Sequence, residues 1–237
     1  MPEPVISPLG LAGTLVSFGD ALTEPANRAA LAFRGAVERE GWDGIEETTV
    51  SLTGVYLRMD PMHPDPASIE ARIRALLGNR DWYEAPLPGG RRLWTVPLAV
   101  GGEHGPQFEE AAEMAGQSPQ EARRTILETP MRVITLGYAP GQPYMGSLPE
   151  NWDIPRRQEL NPRVPASALV VAIRQLIVFT AAQPTGWRHI GQTRFRPFMP
   201  EEDEPFSWRP GDEVRWQEVT PEELANVTGR GGEARPL

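Results

Sequence analysis

The sequence predicts a small α+β domain over residues 1–88 followed by a mainly-β barrel domain over residues 89–220, and three observations carry that reading. Two helical apolar patterns alternate with β-branched runs in the first third of the chain. A proline- and glycine-containing stretch, APLPGGRR at 85–92, then interrupts the pattern. From Met131 onward, short apolar runs recur between turns rich in proline and glycine.

In chain order, residues 13–18 read as a short strand. Residues 24–40 set Leu31, Phe33 and Val37 among alanines and charges, as an amphipathic helix does, and Gly41 stops it. TTVSLTGVYLRM at 48–59 is rich in β-branched residues and reads as strand broken at Gly54, ahead of the turn-forming MDPMHPDP. Ser68 is the expected cap of a second helix over 68–77, with Ile69, Ile73, Leu76 and Leu77 on one face. Beyond the 85–92 stretch, 93–100 reads as strand and 107–114 and 119–127 as short helices. The second of these opens on Ser118 as cap and Pro119 in the first turn. MRVITLGY (131–138), SALVVAI (167–173), LIVFTA (176–181), WRHIGQT (187–193), RFRPF (194–198) and EVRWQEV (213–219) then read as strands. Strands at that spacing close on themselves or pack as a sandwich, because exposed edges invite pairing with other chains; a barrel is the simplest arrangement. The tail, 221–237, has little to bury and is expected to fray.

Composition narrows the function. The chain has 237 residues and a net charge of −9, which argues against nucleic acid and anionic membranes as partners, since both require a cationic surface. Without cysteine there is no disulfide framework, thiolate zinc site or cysteine nucleophile. All 23 basic residues counted as Lys or Arg are arginine. That excludes a P-loop lysine, a Schiff base and a biotin attachment site. His63 and His104 fall in loops of different parts of the chain, giving no metal cluster. The acidic run Glu201-Glu202-Asp203-Glu204 reads as a solvated loop, because contiguous carboxylates do not converge on one ion. The first arginine is Arg28 and the apolar start is broken by Pro8, Gly10, Gly13 and Gly19, unlike a signal peptide. The longest apolar region, 164–182, contains Arg174 and Gln175, unlike a membrane span. A soluble cytoplasmic protein is expected.

LGYAPGQPYMGSL at 136–148, IPRRQELNPRVPAS at 154–167 and GWRHIGQT at 186–193 resemble the allophanate hydrolase subunit 1 family, which includes the B subunit of bacterial 5-oxoprolinase and an inhibitor of a sporulation histidine kinase. Gly137, Tyr138, Pro140, Gly141, Pro143, Tyr144 and Gly146 match its first motif. Pro155, Arg156 and Arg157 match the second, Arg163, Val164 and Pro165 the third, and Gly186, Trp187, Ile190, Gly191 and Thr193 the last. FGD at 18–20, GPQFEEAAEMAG at 105–116 and RPGDEVRW at 209–216 extend the resemblance over nearly the whole chain. The resemblance implies a cyclophilin-like barrel, a second (allophanate hydrolase subunit 2-like) partner subunit, and ATP with Mg as co-substrate in opening a cyclic amide such as 5-oxoproline. From the residues themselves, no biotin, zinc or other metal is expected on this chain. The family's GGQTG turn is here Ile173-Arg174-Gln175-Leu176-Ile177, with larger residues in place of every glycine, and the second aromatic of the first motif is Gln142.

An amide carbonyl resists water until its oxygen is activated, and a protein helps by holding phosphates and neutralising moving charge. Arginine forks suit that task. Arg163 is the expected catalytic ligand of phosphate or carboxylate, with Arg156 and Arg157 behind it; ion pairs with Glu159 are the alternative fate of all three. Tyr138 and Tyr144 are expected to line the substrate pocket, with Pro140-Gly141 shaping it, unless they are barrel core. Gln175 suits a substrate amide, and His189, alternating with Trp187, faces the same pocket or is structural. Two further readings remain open: a non-catalytic regulator like the kinase-inhibitor branch, and a subunit acting on allophanate or another urea derivative.

Overall fold

The computed structural model describes residues 2–237. The chain divides at Gly89–Gly90 into two compact units.

In the first unit, β1 (Val5–Pro8), β2 (Gly13–Ser17), α1 (Glu24–Glu40), β3 (Ile45–Ser51), β4 (Gly54–Met59) and α2 (Pro66–Leu77) follow in order. The strands form one antiparallel sheet, β1-β2-β4-β3. The Thr23 hydroxyl accepts from the Ala26 amide to open α1, and Gly41, at φ 58°, closes it in the left-handed conformation where a Cβ is costly. The run at 48–59, read as a strand broken at Gly54, is a hairpin: β3 starts earlier, Leu52 takes a left-handed turn at φ 55°, and Gly54 opens β4. Ser68 does not cap α2. Asp65 does, accepting from the Ser68 amide at 3.1 Å, and Pro66 fills the first turn, where no amide donor is needed. Phe18, Phe33 and Trp82 form an aromatic core, the Phe33 and Trp82 rings edge to face at 5.1 Å.

The second unit contains β5 (Arg92–Val100), α3 (Phe108–Met114), α4 (Pro119–Glu128), β6 (Met131–Leu136), β7 (Pro143–Gly146), β8 (Asn161–Val164), β9 (Ala168–Ala172), β10 (Gln175–Val178), β11 (Gln183–Thr185), β12 (Arg188–Gln192), β13 (Glu213–Glu218), α5 (Pro221–Ala225) and β14 (Glu233–Pro236). Seven strands close in the order β5-β12-β9-β10-β7-β6-β13 and back to β5, forming a barrel. Each ring strand sends alternate side chains into one core that includes Leu98, Met145, Leu169, Leu176, Ile190 and Trp216. α3 and α4 pack Phe108, Ala111 and Ile126 into the same core. α4 opens on a complete capping box between Ser118 and Glu121.

Two expectations fail here. RFRPF at 194–198 forms no strand, only an isolated bridge from Phe198 to Phe206; Pro197 has no amide to donate, and Phe195 instead stacks on Trp208 at 3.9 Å inside the barrel. The tail does not fray. Thr220 and Glu223 cap α5 reciprocally, Leu224 is buried, and β14 pairs antiparallel with the Arg92–Thr95 half of β5. Since β12 pairs with β5 only at Ala99 and Val100, the tail supplies backbone partners along the rest of that edge.

β9 and β10 are buried on both faces. Their outward residues Ala168, Val170, Ala172 and Ile177 meet Phe179, Trp187 and Val164, the last from the antiparallel ribbon of β8 and β11 that lies over this side of the barrel.

Candidate functional site

Residues directly opposite one another in antiparallel strands share a face. Tyr144 of β7 stands opposite Ile177 of β10, Ile177 opposite Val170 of β9, and Val170 opposite His189 of β12. These side chains therefore form one row on the outer face of the barrel. Gln175 lies in the next row, opposite Ala172 and Gly146. Tyr144, Gln175 and His189 are thus brought to one surface by register, although they are far apart in sequence.

Trp187 covers that surface. Its ring meets Tyr144 edge to face at 6.2 Å, and the Arg156 guanidinium lies 5.3 Å above its centroid. The chain turns tightly beneath this stack: the Arg157 amide donates to the Gly186 carbonyl at 2.7 Å, and a Cβ on Gly186 would sit 2.9 Å from the Arg157 carbonyl oxygen. Glycine is needed there for close approach, not for a special dihedral. The Arg157 side chain donates to Asn161 Oδ1. Asn161 Nδ2 in turn donates to the Trp187 carbonyl at 3.3 Å and shares amide bonds with Gln107, whose Oε1 accepts from the His189 amide at 2.8 Å. One polar chain therefore anchors Arg157, the Trp187 strand entry and β12 together.

Arg163 lies on β8, two residues from Asn161. Its neighbour Val164 faces the apolar cluster, so Arg163 points away from it, to solvent. Among the described residues it makes no hydrogen bond or ion pair, and Arg156 and Arg157 have no carboxylate partner either, Glu159 included. In a chain of net charge −9, Arg156 and Arg163 are exposed and Arg157 is half-buried, none with a carboxylate partner; Arg156 lies on Trp187, whereas Arg163 faces solvent on the side of β8 away from the aromatic pair.

The remaining candidates have other placements. Tyr138 does not join Tyr144: it is 84% exposed, at φ 68°, on the loop between β6 and β7. Pro140 is exposed on the same loop. Gly141, at φ 70°, presses against the 197–198 segment, where a Cβ would lie 2.8 Å from the Pro197 carbonyl oxygen. Gln142, in place of an aromatic, is buried and accepts from Gln183 of β11 at 2.8 Å, pinning the ribbon to the barrel.

The Ile173-Arg174 turn joins β9 to β10 with both residues left-handed, at φ 45° and 62°. Its amides donate to the Ile154 and Trp152 carbonyls at 2.8 and 3.0 Å, and the Arg174 Nε donates to the Leu148 carbonyl at 2.9 Å. Both turn amides are therefore consumed by the neighbouring segment.

His189 is 6% exposed, and its Nε2 has no partner. Burial, the leading cause, holds its imidazole below the ordinary histidine range; Gly191 and Gln192 oppose that shift, and His104 adds to it. The ring is a neutral part of the site's floor. Two large grooves lie elsewhere on this unit. One, of about 700 Å³, runs past Gly101, His104, Arg123 and Glu222; the other, of about 440 Å³, past His104, Gln192, Arg194 and Leu224. Neither is lined by a residue of the arginine–aromatic cluster. Among the described residues no group of three or more His, Asp or Glu side chains is placed to hold a metal, and no helix is long and apolar enough to cross a membrane.

Gln107 and Asn161 carried no individual signal in the sequence, being 54 residues apart and chemically unremarked; Trp187 stood within a matched motif. A closed seven-stranded barrel, with a family of short motifs converging on one outer face, defines a carboxyltransferase-type barrel protein. The chain belongs to the carboxyltransferase domain family, subdomain C and D, whose pattern matches residues 4–208. It is 27% identical over 229 residues to the 5-oxoprolinase B subunit of Bacillus subtilis (strain 168), covering 91% of this chain and 92% of that one. Its identity to the 5-oxoprolinase B subunit of Escherichia coli O157:H7 is 36% over 155 residues, 65% of this chain and 70% of the other. Among solved structures, TTHA0988 superposes with a TM-score of 0.73 at 27% identity over 88% of this chain, which spans 40% of that longer polypeptide.

Proposed function

We propose that this chain is one component of an ATP-dependent amidohydrolase that opens a cyclic amide such as 5-oxoproline, and that it works with a second, allophanate hydrolase subunit 2-like polypeptide. The observation that carries this reading is three arginines without a carboxylate partner in an otherwise acidic chain: Arg156 lies on Trp187 of the Trp187–Tyr144 pair, Arg157 is anchored on Asn161, and Arg163 stands two residues from Asn161 on β8, facing solvent. Guanidinium forks match carboxylate and phosphate oxygens in two-point geometry, and an aromatic wall suits a small ring carrying such a charge. The relatives named as B subunits of 5-oxoprolinase support the substrate class. The greater length of TTHA0988 supports a second component alongside this module.

Transfer of the γ-phosphoryl group from ATP to the lactam oxygen, with ADP leaving, makes the carbonyl carbon open to water; addition of water and cleavage of the ring C–N bond, with the nitrogen taking up the proton, leaves an acyl phosphate that a second water hydrolyses to carboxylate and phosphate. Toward that chemistry Arg163 holds phosphate oxygens. Arg157, anchored on Asn161, and Arg156, rested on Trp187, hold the substrate carboxylate. Their contribution is fixed charge that needs no rearrangement as the reaction proceeds. Gln175 and His189 form the floor beneath Trp187.

The test is ATP hydrolysis by the chain co-expressed with its second subunit, with and without 5-oxoproline. Lactam-stimulated turnover is expected, falling roughly 10²-fold or more in Arg163→Ala, the scale of one lost charge-stabilising donor. A stable complex without turnover on any amide would overturn the enzyme reading. One observation favours the rival, a non-catalytic regulator: the Ile173-Arg174 turn has no free amide to offer a ligand.

A further inference from the structure

The loop that carries Tyr138 is stiff. Gly137 donates to the Gln142 carbonyl at 3.0 Å, Gln142 donates to Ala139 at 3.0 Å, and Gly141 packs against Pro197 and Phe198. It nevertheless holds an aromatic residue in the left-handed region with 84% of its surface in water, which costs backbone energy and buries nothing within this chain. The segment against which Gly141 packs continues into a turn closed by the Phe198–Phe206 bridge, with the two rings 5.2 Å apart and Phe206 45% exposed. That turn carries the acidic run. Glu201 pairs with Arg196 and Glu204 with Arg209, while Glu202 and Asp203 have no partner among the described residues.

From this juxtaposition we infer that Tyr138, Phe206, Glu202 and Asp203 form the docking surface for the second subunit, whose complementary face is an apolar socket rimmed by lysine or arginine. This rests on the two-subunit reading above. Exposed rigid aromatics are the usual anchors of an interface, and unpaired carboxylates at its rim select a basic partner and speed encounter. None of these four residues belongs to the arginine–aromatic cluster, and the unpaired carboxylates among them carry the opposite charge.

The experiment measures binding of the purified allophanate hydrolase subunit 2-like polypeptide by calorimetry and stopped-flow at low and high salt. Tyr138→Gly removes the ring while suiting the backbone; it is expected to keep or raise the melting temperature and to weaken binding roughly thirtyfold. Tyr138→Phe should restore most of that loss. Glu202→Arg with Asp203→Arg should slow association about tenfold at low salt and flatten its salt dependence. A complex whose affinity and salt dependence are unmoved by all of these variants places the interface elsewhere and overturns this inference alone. No complex with the wild-type chain removes the two-subunit reading as well.

Discussion

Asp212→Ala should be among the most damaging single changes in the barrel unit. Its side chain is 2% exposed and accepts from the Arg92 amide at 3.0 Å, Arg92 Nη2 at 2.6 Å, Trp94 Nε1 at 3.2 Å and the Arg209 amide at 3.1 Å. It ties the start of β5 to the approach to β13, the one parallel pair described in the barrel ring. Truncation strands two amides and an indole donor inside the protein. The Arg92 guanidinium is 21% exposed and keeps the Ser207 carbonyl at 2.8 Å, so part of its charge returns to water. That places the loss at the lower end of the about 3–5 kcal/mol typical of a broken buried pair. For a unit of this size about 3 kcal/mol lowers the melting temperature by roughly 6–12 °C. Asp212→Asn keeps an acceptor and the shape and should lose about half as much. Tryptophan fluorescence reads the transition directly, since Trp94 and Trp208 stand edge to face at 6.5 Å beside the carboxylate. A melting temperature for Asp212→Ala within about 2 °C of the wild type would refute the reasoning, because a shift below about 1 kcal/mol is not that of a buried charge hub.

Ile173→Asn should stabilise the protein by about 1 kcal/mol, read as a higher urea midpoint at unchanged slope, because asparagine tolerates the left-handed turn that β-branched isoleucine resists. Burial of neutral His189 depresses its folded pKa, so the unfolded chain binds the extra proton. Stability should therefore be complete above the ordinary histidine value of 6.5 and fall as pH drops below it; urea denaturation at about pH 7.5 and about pH 5.5 should show a smaller loss for His189→Gln than for the wild type. Gly186→Ala forces a contact 2.9 Å from the Arg157 carbonyl and should cost about 1–3 kcal/mol by the same denaturation assay, with loss of the Arg156–Trp187 stack seen as a change in tryptophan near-ultraviolet dichroism.

Local chemistry was legible where it acts alone. The α1 helix ends at Gly41, and Ser118 with Pro119 opens α4, as those residues suggest. Where two neighbouring residues compete, as Asp65 and Ser68 do for the α2 cap, composition does not decide; the winner is the residue that lies outside the first turn with its oxygen over the free amides. The strand β14 was illegible for a related reason. EARP is short, exposed and without alternation, and what holds it is the unpaired half of an edge far earlier in the chain. At the site, the matched motifs flagged Tyr144, Arg156, Arg157 and Trp187, which do converge. Tyr138 matched equally well yet points to solvent, because it stands on the loop between β6 and β7, outside the strand register that gathers the others.

By itself the sequence determined the barrel-bearing family, through motif order and spacing, and the absence of lysine and cysteine chemistry, since missing functional groups are not restored by folding. Register was decided only by the tertiary structure. The row Tyr144, Ile177, Val170 and His189 exists because four strands align in one register, and a shift of one residue in any of them would carry its side chain to the opposite face. The same holds for the unpaired arginines. Whether a guanidinium finds a carboxylate depends on which surfaces the ribbon of β8 and β11 brings together, and that is a property of distance in space that no local spacing encodes.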